Sequence, residues 1–265
     1  MMKNIRFILL STLFIAFLAS CTKSTTEVEP EVDPTADLLK IGEGNFSSTT
    51  VEIFSDGEIE VGYQRLFVRL KQGGEKVVTR ARVEIFPLMD METMKHSAPY
   101  ENPEAIVSEN GLFEGAVVFI MSGKWMVTFT LQNLENGDSG KVTLTLDVAA
   151  SQRVKKVTGS DSATYFVTLV EPRAPRVGMN DFEITVHKKE SMMAYPAVTD
   201  VETTITPTMP SMGHGSPNNE HPVHQGRGHY RGKVNFTMSG AWRVDLQIQR
   251  GGQPLCEVAF DIQVP

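Results

Sequence analysis

The chain has 265 residues, enough for two ordinary domains, and carries 32 acidic against 25 basic side chains, a formal charge of −7. That acidity, with no basic stripe interleaved with aromatics, excludes nucleic acid as a partner, because phosphate binding needs clustered Lys and Arg. Two cysteines, Cys21 and Cys256, are too few for a disulfide framework.

The chain opens on a targeting pattern. Lys3 and Arg6 precede an apolar run from Phe7 to Leu18 that only Ser11 and Thr12 interrupt. At about 12 residues this is the length of a secretory h-region and too short for a spanning helix. Leu18-Ala-Ser-Cys21 then matches the bacterial lipobox, which implies removal of residues 1–20 as a signal peptide and lipid attachment at Cys21. The lipid would be the membrane anchor and place the body in the cell envelope. Thr22 in place of Asp points, by resemblance to the usual sorting rule, to the outer membrane, with the periplasmic or outward face left open. Cleavage takes Lys3 and Arg6 with it and moves the formal charge to −9. Residues 21–40, rich in Ser, Thr, Pro and acids, read as a disordered tether.

Beyond the tether, alternation of apolar and polar residues dominates and helical periodicity is scarce. Leu66-Phe-Val68-Arg-Leu70, Val127-Thr-Phe129-Thr-Leu131, Val142-Thr-Leu144-Thr-Leu146-Asp-Val148, Phe182-Glu-Ile184-Thr-Val186 and Val244-Asp-Leu246-Gln-Ile248 are half-buried strands by pattern. Gly, Asn, Asp and Pro turns separate them. Cys256 falls on the apolar parity of one such strand and reads as a buried structural thiol.

The chain also repeats itself. Val51 to Gly62 aligns without gaps on Val167 to Gly178 at an offset of 116. Met91-Glu-Thr-Met94-Lys-His96-Ser-Ala-Pro99 returns as Met209-Pro-Ser-Met212-Gly-His214-Gly-Ser-Pro217 at an offset of 118. Phe119-Ile-Met121-Ser-Gly-Lys-Trp125 returns as Phe236-Thr-Met238-Ser-Gly-Ala-Trp242 at an offset of 117. A tandem duplication accounts for all three. The expected architecture is all-β: two tandem immunoglobulin-like β-sandwiches, over 41–150 and 160–265, each of about seven strands. The polar, unpatterned stretch from Ala150 to Ala163 is the expected boundary. In each copy a third strand runs directly into the methionine segment, and the Ser-Gly turn leads to the strand that opens with Trp.

Thioether and imidazole are ligands that soft copper prefers. Pro210, Gly213, Gly215 and Pro217 rule out a helix, and in an extended segment Met212 and His214 share a side. The candidate ligands are therefore Met209, Met212, His214 and Met238 in the second copy, and Met91, Met94, His96 and Met121 in the first. Core packing competes with ligand duty at Met121 and Met238, which share parity with core-facing neighbours. Met209 and Met212, in a Gly/Pro/His loop, have little core to fill. Trp125 and Trp242 read as sandwich-core residues, with a cation–π cover over an ion as the alternative. His221, His224 and His229 form a further candidate Cu(II) or Zn(II) cluster, against a solvated loop as the alternative, and the first copy has no equivalent histidines.

Met-x-x-Met-x-His-x-x-Pro, then the strands from Gly111 to Gly115 and Gly228 to Gly232, then Met-Ser-Gly-x-Trp together resemble the FixH/YtkA-like domain, in two copies. The resemblance implies an immunoglobulin-like, extracytoplasmic fold associated with copper handling. The second copy stands closer to the family pattern. Lys95 and Glu92 depart from it in the first, so the first copy is expected to hold a weaker or vestigial site.

No Gly-x-Ser-x-Gly, phosphate loop, His-Glu-x-x-His or usable nucleophilic cysteine is present, so no enzyme is expected. The expected function is copper binding, or transfer to a metal-efflux or oxidase-assembly partner. The alternative is a structural or protein-interaction module without metal.

Overall fold

The structure, a computed structural model, describes residues 33–265; the expected signal peptide, the expected lipidation site Cys21 and most of the expected tether lie outside them. A turn at 34–37 leads into the first strand at Leu39, so the last two residues expected in the tether belong to that strand. Among the described residues there is no helix, and none long and apolar enough to cross a membrane.

The first sandwich is built from β1 (Leu39–Phe46), β2 (Thr49–Ser55), β3 (Gly62–Gln72), β4 (Lys76–Val77) and β5 (Ala81–Asp90). It continues with β6 (Lys95–His96), β7 (Tyr100–Glu101), β8 (Leu112–Phe119), β9 (Gly123–Asn133) and β10 (Ser139–Val148). One sheet has the order β1-β2-β3-β8-β7, with β4 paired to β3, and the other the order β10-β9-β5-β6. The second sandwich comprises β11 (Val154–Thr158), β12 (Thr164–Glu171), β13 (Gly178–Lys189), β14 (Glu202–Met209), β15 (His214–Gly215), β16 (Glu220–Gly226), β17 (His229–Phe236), β18 (Gly240–Arg250) and β19 (Gln253–Val264). Its sheets, β11-β12-β13-β17-β16 and β15-β14-β18-β19, repeat the order of the first. The registers repeat as well, with Gly62 opposite Phe119 and Gly178 opposite Phe236.

Alternation produces this arrangement because successive side chains of a strand point to opposite faces. In β5 the pattern is regular, with Ala81, Val83, Ile85, Pro87 and Met89 buried and the residues between them exposed, apart from the half-buried Leu88. β9 and β18 likewise bury every second residue from the tryptophan onward. Each sandwich thus has its own core, one around Trp125, Phe119 and Phe129, the other around Trp242, Phe236 and Tyr230. Cys256 is buried in the second core, and that burial pushes its thiol up to about 11, where it is an inert packing group.

Two strands depart from the sequence expectation. β11 occupies the stretch read as an unpatterned boundary, pairs with β12, and sends Val154 against the first core. It is an edge strand whose side chains are all half-buried or exposed, so no alternation marks it. β1 was unmarked for the same reason, since only Phe46 of its eight residues is buried.

Contacts tie the two sandwiches into one compact unit. Arg173 pairs with Asp56 at 3.0 Å and donates to the Tyr63 carbonyl at 2.7 Å. The Ser97 amide donates to the Met192 carbonyl at 2.8 Å. His229 sits between Glu101 of the first sandwich and Glu183 of the second, at 2.7 and 2.6 Å.

Candidate metal centre

Each methionine segment is a tight hairpin rather than an open loop. Leu88 in β5 pairs with Met126, and Thr208 in β14 pairs with Arg243, each partner lying one residue beyond its tryptophan. The next residues, Met89 and Met209, therefore occupy the same place in the fold. They cross the hairpin to His96 and His214. Both are buried core residues, at 4% and 3% exposure. Each lays its Cε over the glycine that opens the tryptophan strand, 3.4 Å from where a Cβ on Gly123 would stand and 3.1 Å from one on Gly240. Those glycines have φ of +121° and +128°, so only glycine serves there without strain.

This corrects two expectations. Met209 has a core to fill and is not a loop residue, and its structural counterpart is Met89 rather than Met91. The shared Met-x-x-Met-x-His spacing misaligns the copies because both turns hold four residues, 91–94 and 210–213, but the first hairpin carries one more strand pair, Asp90 with Lys95, between its turn and the Met–His pair. In the first turn Asp90 accepts the Glu92 amide and pairs with Lys95 at 2.6 Å, while the Met91 amide donates to the Met94 carbonyl. In the second, the Met212 and Gly213 amides both donate to the Met209 carbonyl.

The histidines are held identically. His96 Nδ1 lies 2.9 Å from the Ser97 carbonyl, and His214 Nδ1 lies 3.0 Å from the Gly215 carbonyl. A carbonyl only accepts, so Nδ1 is the donor, and in the neutral tautomer this leaves the lone pair on Nε2, the arrangement that orients an imidazole for a metal. Each ring also stands edge-on to its tryptophan, at 5.2 Å and 5.9 Å between centroids. The tryptophans themselves are core residues, at 0% and 1% exposure. Their indole N–H groups donate to the Met121 and Met238 carbonyls, both at 3.0 Å. Met-Ser-Gly-x-Trp is thus a fastened turn, and in the first copy it brings Met121 to the same cavity as His96. Because β8 ends at Phe119 and β17 at Phe236, core-facing parity stops before Met121 and Met238. Both are exposed, at 39%, and fill no core.

Met91, Met94, His96 and Met121 line a single cavity of about 290 Å³. Ile120, Phe166 and Tyr195 add apolar walls, Lys156 and Lys189 stand at it, and Met192 enters from the second sandwich. Lys95, whose presence suggested a weakened site, is drawn away to Asp90 and does not line it. The copy expected to be vestigial is the one whose candidate ligands share a cavity. In the second copy His214 is half-buried, Met212 is 60% exposed and Met238 stands at the surface. Met192 escaped the sequence reading; its signal was a Met-Met pair in the turn after Lys189.

His221, His224 and His229 do not form a cluster. His221 Nδ1 accepts the Ile205 amide at 3.2 Å, and His224 Nε2 accepts the Gly228 amide at 3.4 Å. Both ring nitrogens of His229 are committed to carboxylates. Among the described residues no three His, Cys, Asp or Glu side chains are grouped to hold a metal ion. His229 instead bridges the sandwiches. Burial pushes its pKa down, but the hydrogen bonds to Glu101 and Glu183 outweigh this and hold it up at about 9.

The sequence profile of the YtkA-like family matches residues 45–130 and 159–247, one stretch in each sandwich. The chain belongs to the YtkA-like family. Among curated proteins, none matches it. Similar solved structures include the Escherichia coli adhesin FdeC, at 12% identity over 84% of this chain and 65% of that one, with a TM-score of 0.27. Invasin, a bacterial integrin-binding protein, matches at 11% identity over 82% of this chain and 39% of its own, with a TM-score of 0.27. Domains 5–6 of the S-layer protein SbsC match at 11% identity over 86% and 98%, with a TM-score of 0.30. The YtkA-like chain spans less than two thirds of FdeC and of invasin, and likeness at these TM-scores bears on neither function nor partner.

Proposed function

We propose that this YtkA-like protein is a lipid-anchored envelope protein that binds and passes on a soft metal ion, Cu(I), through the methionine and histidine side chains of its two hairpins. The role is binding rather than catalysis. The observation that carries the reading is the meeting of Met91, Met94, Met121 and His96 at one cavity, with the His96 proton held on Nδ1. Thioethers and neutral imidazole match a soft monovalent ion and are poor partners for hard divalent ones. Met212, His214 and Met238 carry the same donor types on the second sandwich, and the exposed methionines of both copies favour exchange with an efflux or oxidase-assembly partner. Cys21 would tether the protein to the membrane, with the outer membrane as the expected one.

The test is anaerobic titration of the full-length protein, in detergent, with Cu(I) against a chromophoric chelator. Met94→Leu and Met121→Leu keep volume and remove sulfur. Each should weaken the first site by about tenfold or more. A wild-type protein that never competes with the chelator would overturn the reading. That outcome would favour the rival reading, a protein-interaction module, for which the exposure of Met212 and Met238 is the supporting observation.

A further inference from the structure

We propose that the first metal site is shared between the two sandwiches, with Met192 of the second as one of its ligands. The inference rests on the soft-metal reading above and adds to it a ligand and a consequence.

Met192 lies at the tip of the turn between β13 and β14. That turn is closed by Glu190, whose amide donates to the Ala194 carbonyl at 3.0 Å, and by Ser191, whose Oγ accepts the Met193 amide. Of the two adjacent methionines, Met193 is 45% exposed and lines a different cavity, while Met192 is half-buried and faces the sulfur-lined one. Its main chain is fixed from the other sandwich. Ser97, fully buried, donates its amide to the Met192 carbonyl at 2.8 Å and its Oγ to the Pro87 carbonyl at 2.8 Å. The carbonyl of the same Ser97 holds the His96 Nδ1 proton. One residue therefore sets both the orientation of the His96 ring and the position of the second sandwich's methionine.

The surroundings suit a single positive charge. Lys156 and Lys189 repel any cation, and Coulomb repulsion scales with the charge of the ion, so a monovalent ion pays half of what a divalent one does. Phe166 and Tyr195, both from the second sandwich, make the walls apolar, which suits thioether ligands. In the second copy the residue that follows the histidine is Gly215, which pairs back onto Thr208, and Met212 stands 60% exposed. The two sites thus differ in kind: one lies between the sandwiches and gains the Met192 sulfur, the other draws on the second sandwich alone.

The experiment is the same Cu(I) competition on full-length protein carrying Met212→Leu and Met238→Leu, which silence the second site. Adding Met192→Leu should weaken the remaining site by about tenfold or more, as Met94→Leu does. It should also shrink the rise in thermal midpoint that Cu(I) gives, since ligand bound only by the native state stabilises it. Circular dichroism of the unloaded variants checks that folding is kept. If Met192→Leu leaves affinity unchanged while Met94→Leu weakens it, the shared site is wrong and the soft-metal reading stands. If neither change alters a wild-type protein that does not bind, both fall together.

Discussion

Met209 and Met212 lie three residues apart in the same hairpin and have opposite fates. Met209 fills the second core against Gly240, and Met212 is in solvent. Met209→Ala should therefore cost about 2–5 kcal/mol of stability, the range for deleting a buried methionine. Met212→Ala should stay within about 0.5 kcal/mol, as for a surface change. Denaturant titration of the two variants checks the contrast, and equal effects would contradict the placement. In the sequence both residues looked alike, because a Gly/Pro/His segment gives no sign of where a strand ends. The histidines were legible by type and spacing. Their common tautomer was not, because it depends on a main-chain carbonyl.

The hairpin and the tryptophan turn are the elements that repeat. Trp125 and Trp242 bury their rings and spend their one N–H on the Met121 and Met238 carbonyls, so a core residue also fixes an exposed one. The alternating strands could be read directly from the sequence, because each has one buried face; β9 and β18 are the clearest. β1 and β11 could not, since an edge strand with half-exposed side chains leaves no period-two signal. Nor could the extra pair, Asp90 with Lys95, in the first hairpin, which shifted the alignment from Met89 to Met91. Both turns hold four residues, and the identical motif spacing concealed how far each ladder runs before its turn.

At the scale of the whole molecule, the His229 bridge makes the joint between sandwiches sensitive to pH. Tyr63, Arg227, Arg231 and the buried His187 surround it with Glu101 and Glu183. His229 titrates at about 9 in the folded protein, above its ordinary 6.5. Its contribution is therefore full below 6.5 and lost as pH rises through about 9. Burial raises Glu101 and Glu183, but hydrogen bonds from His229 outweigh it and hold both below their ordinary values, so their contribution fades on the acid side. The thermal midpoint should fall between pH 6.5 and 9.5 in the wild type. In His229→Gln that slope should flatten, and the midpoint at pH 6.5 should drop by roughly 10 °C, the effect of about 3 kcal/mol from breaking a buried pair. A wild-type slope that survives in the variant would contradict this account. The bridge is not legible in the sequence, which groups His229 with His221 and His224, because its partner Glu101 lies in the other repeat.

The first site's chemistry is tested most directly by copper K-edge X-ray absorption of the wild-type protein loaded with one equivalent of Cu(I). The account predicts a shell dominated by sulfur with a single imidazole nitrogen, lost in part on Met94→Leu. A shell of nitrogen and oxygen alone, or metal that washes away, would contradict it.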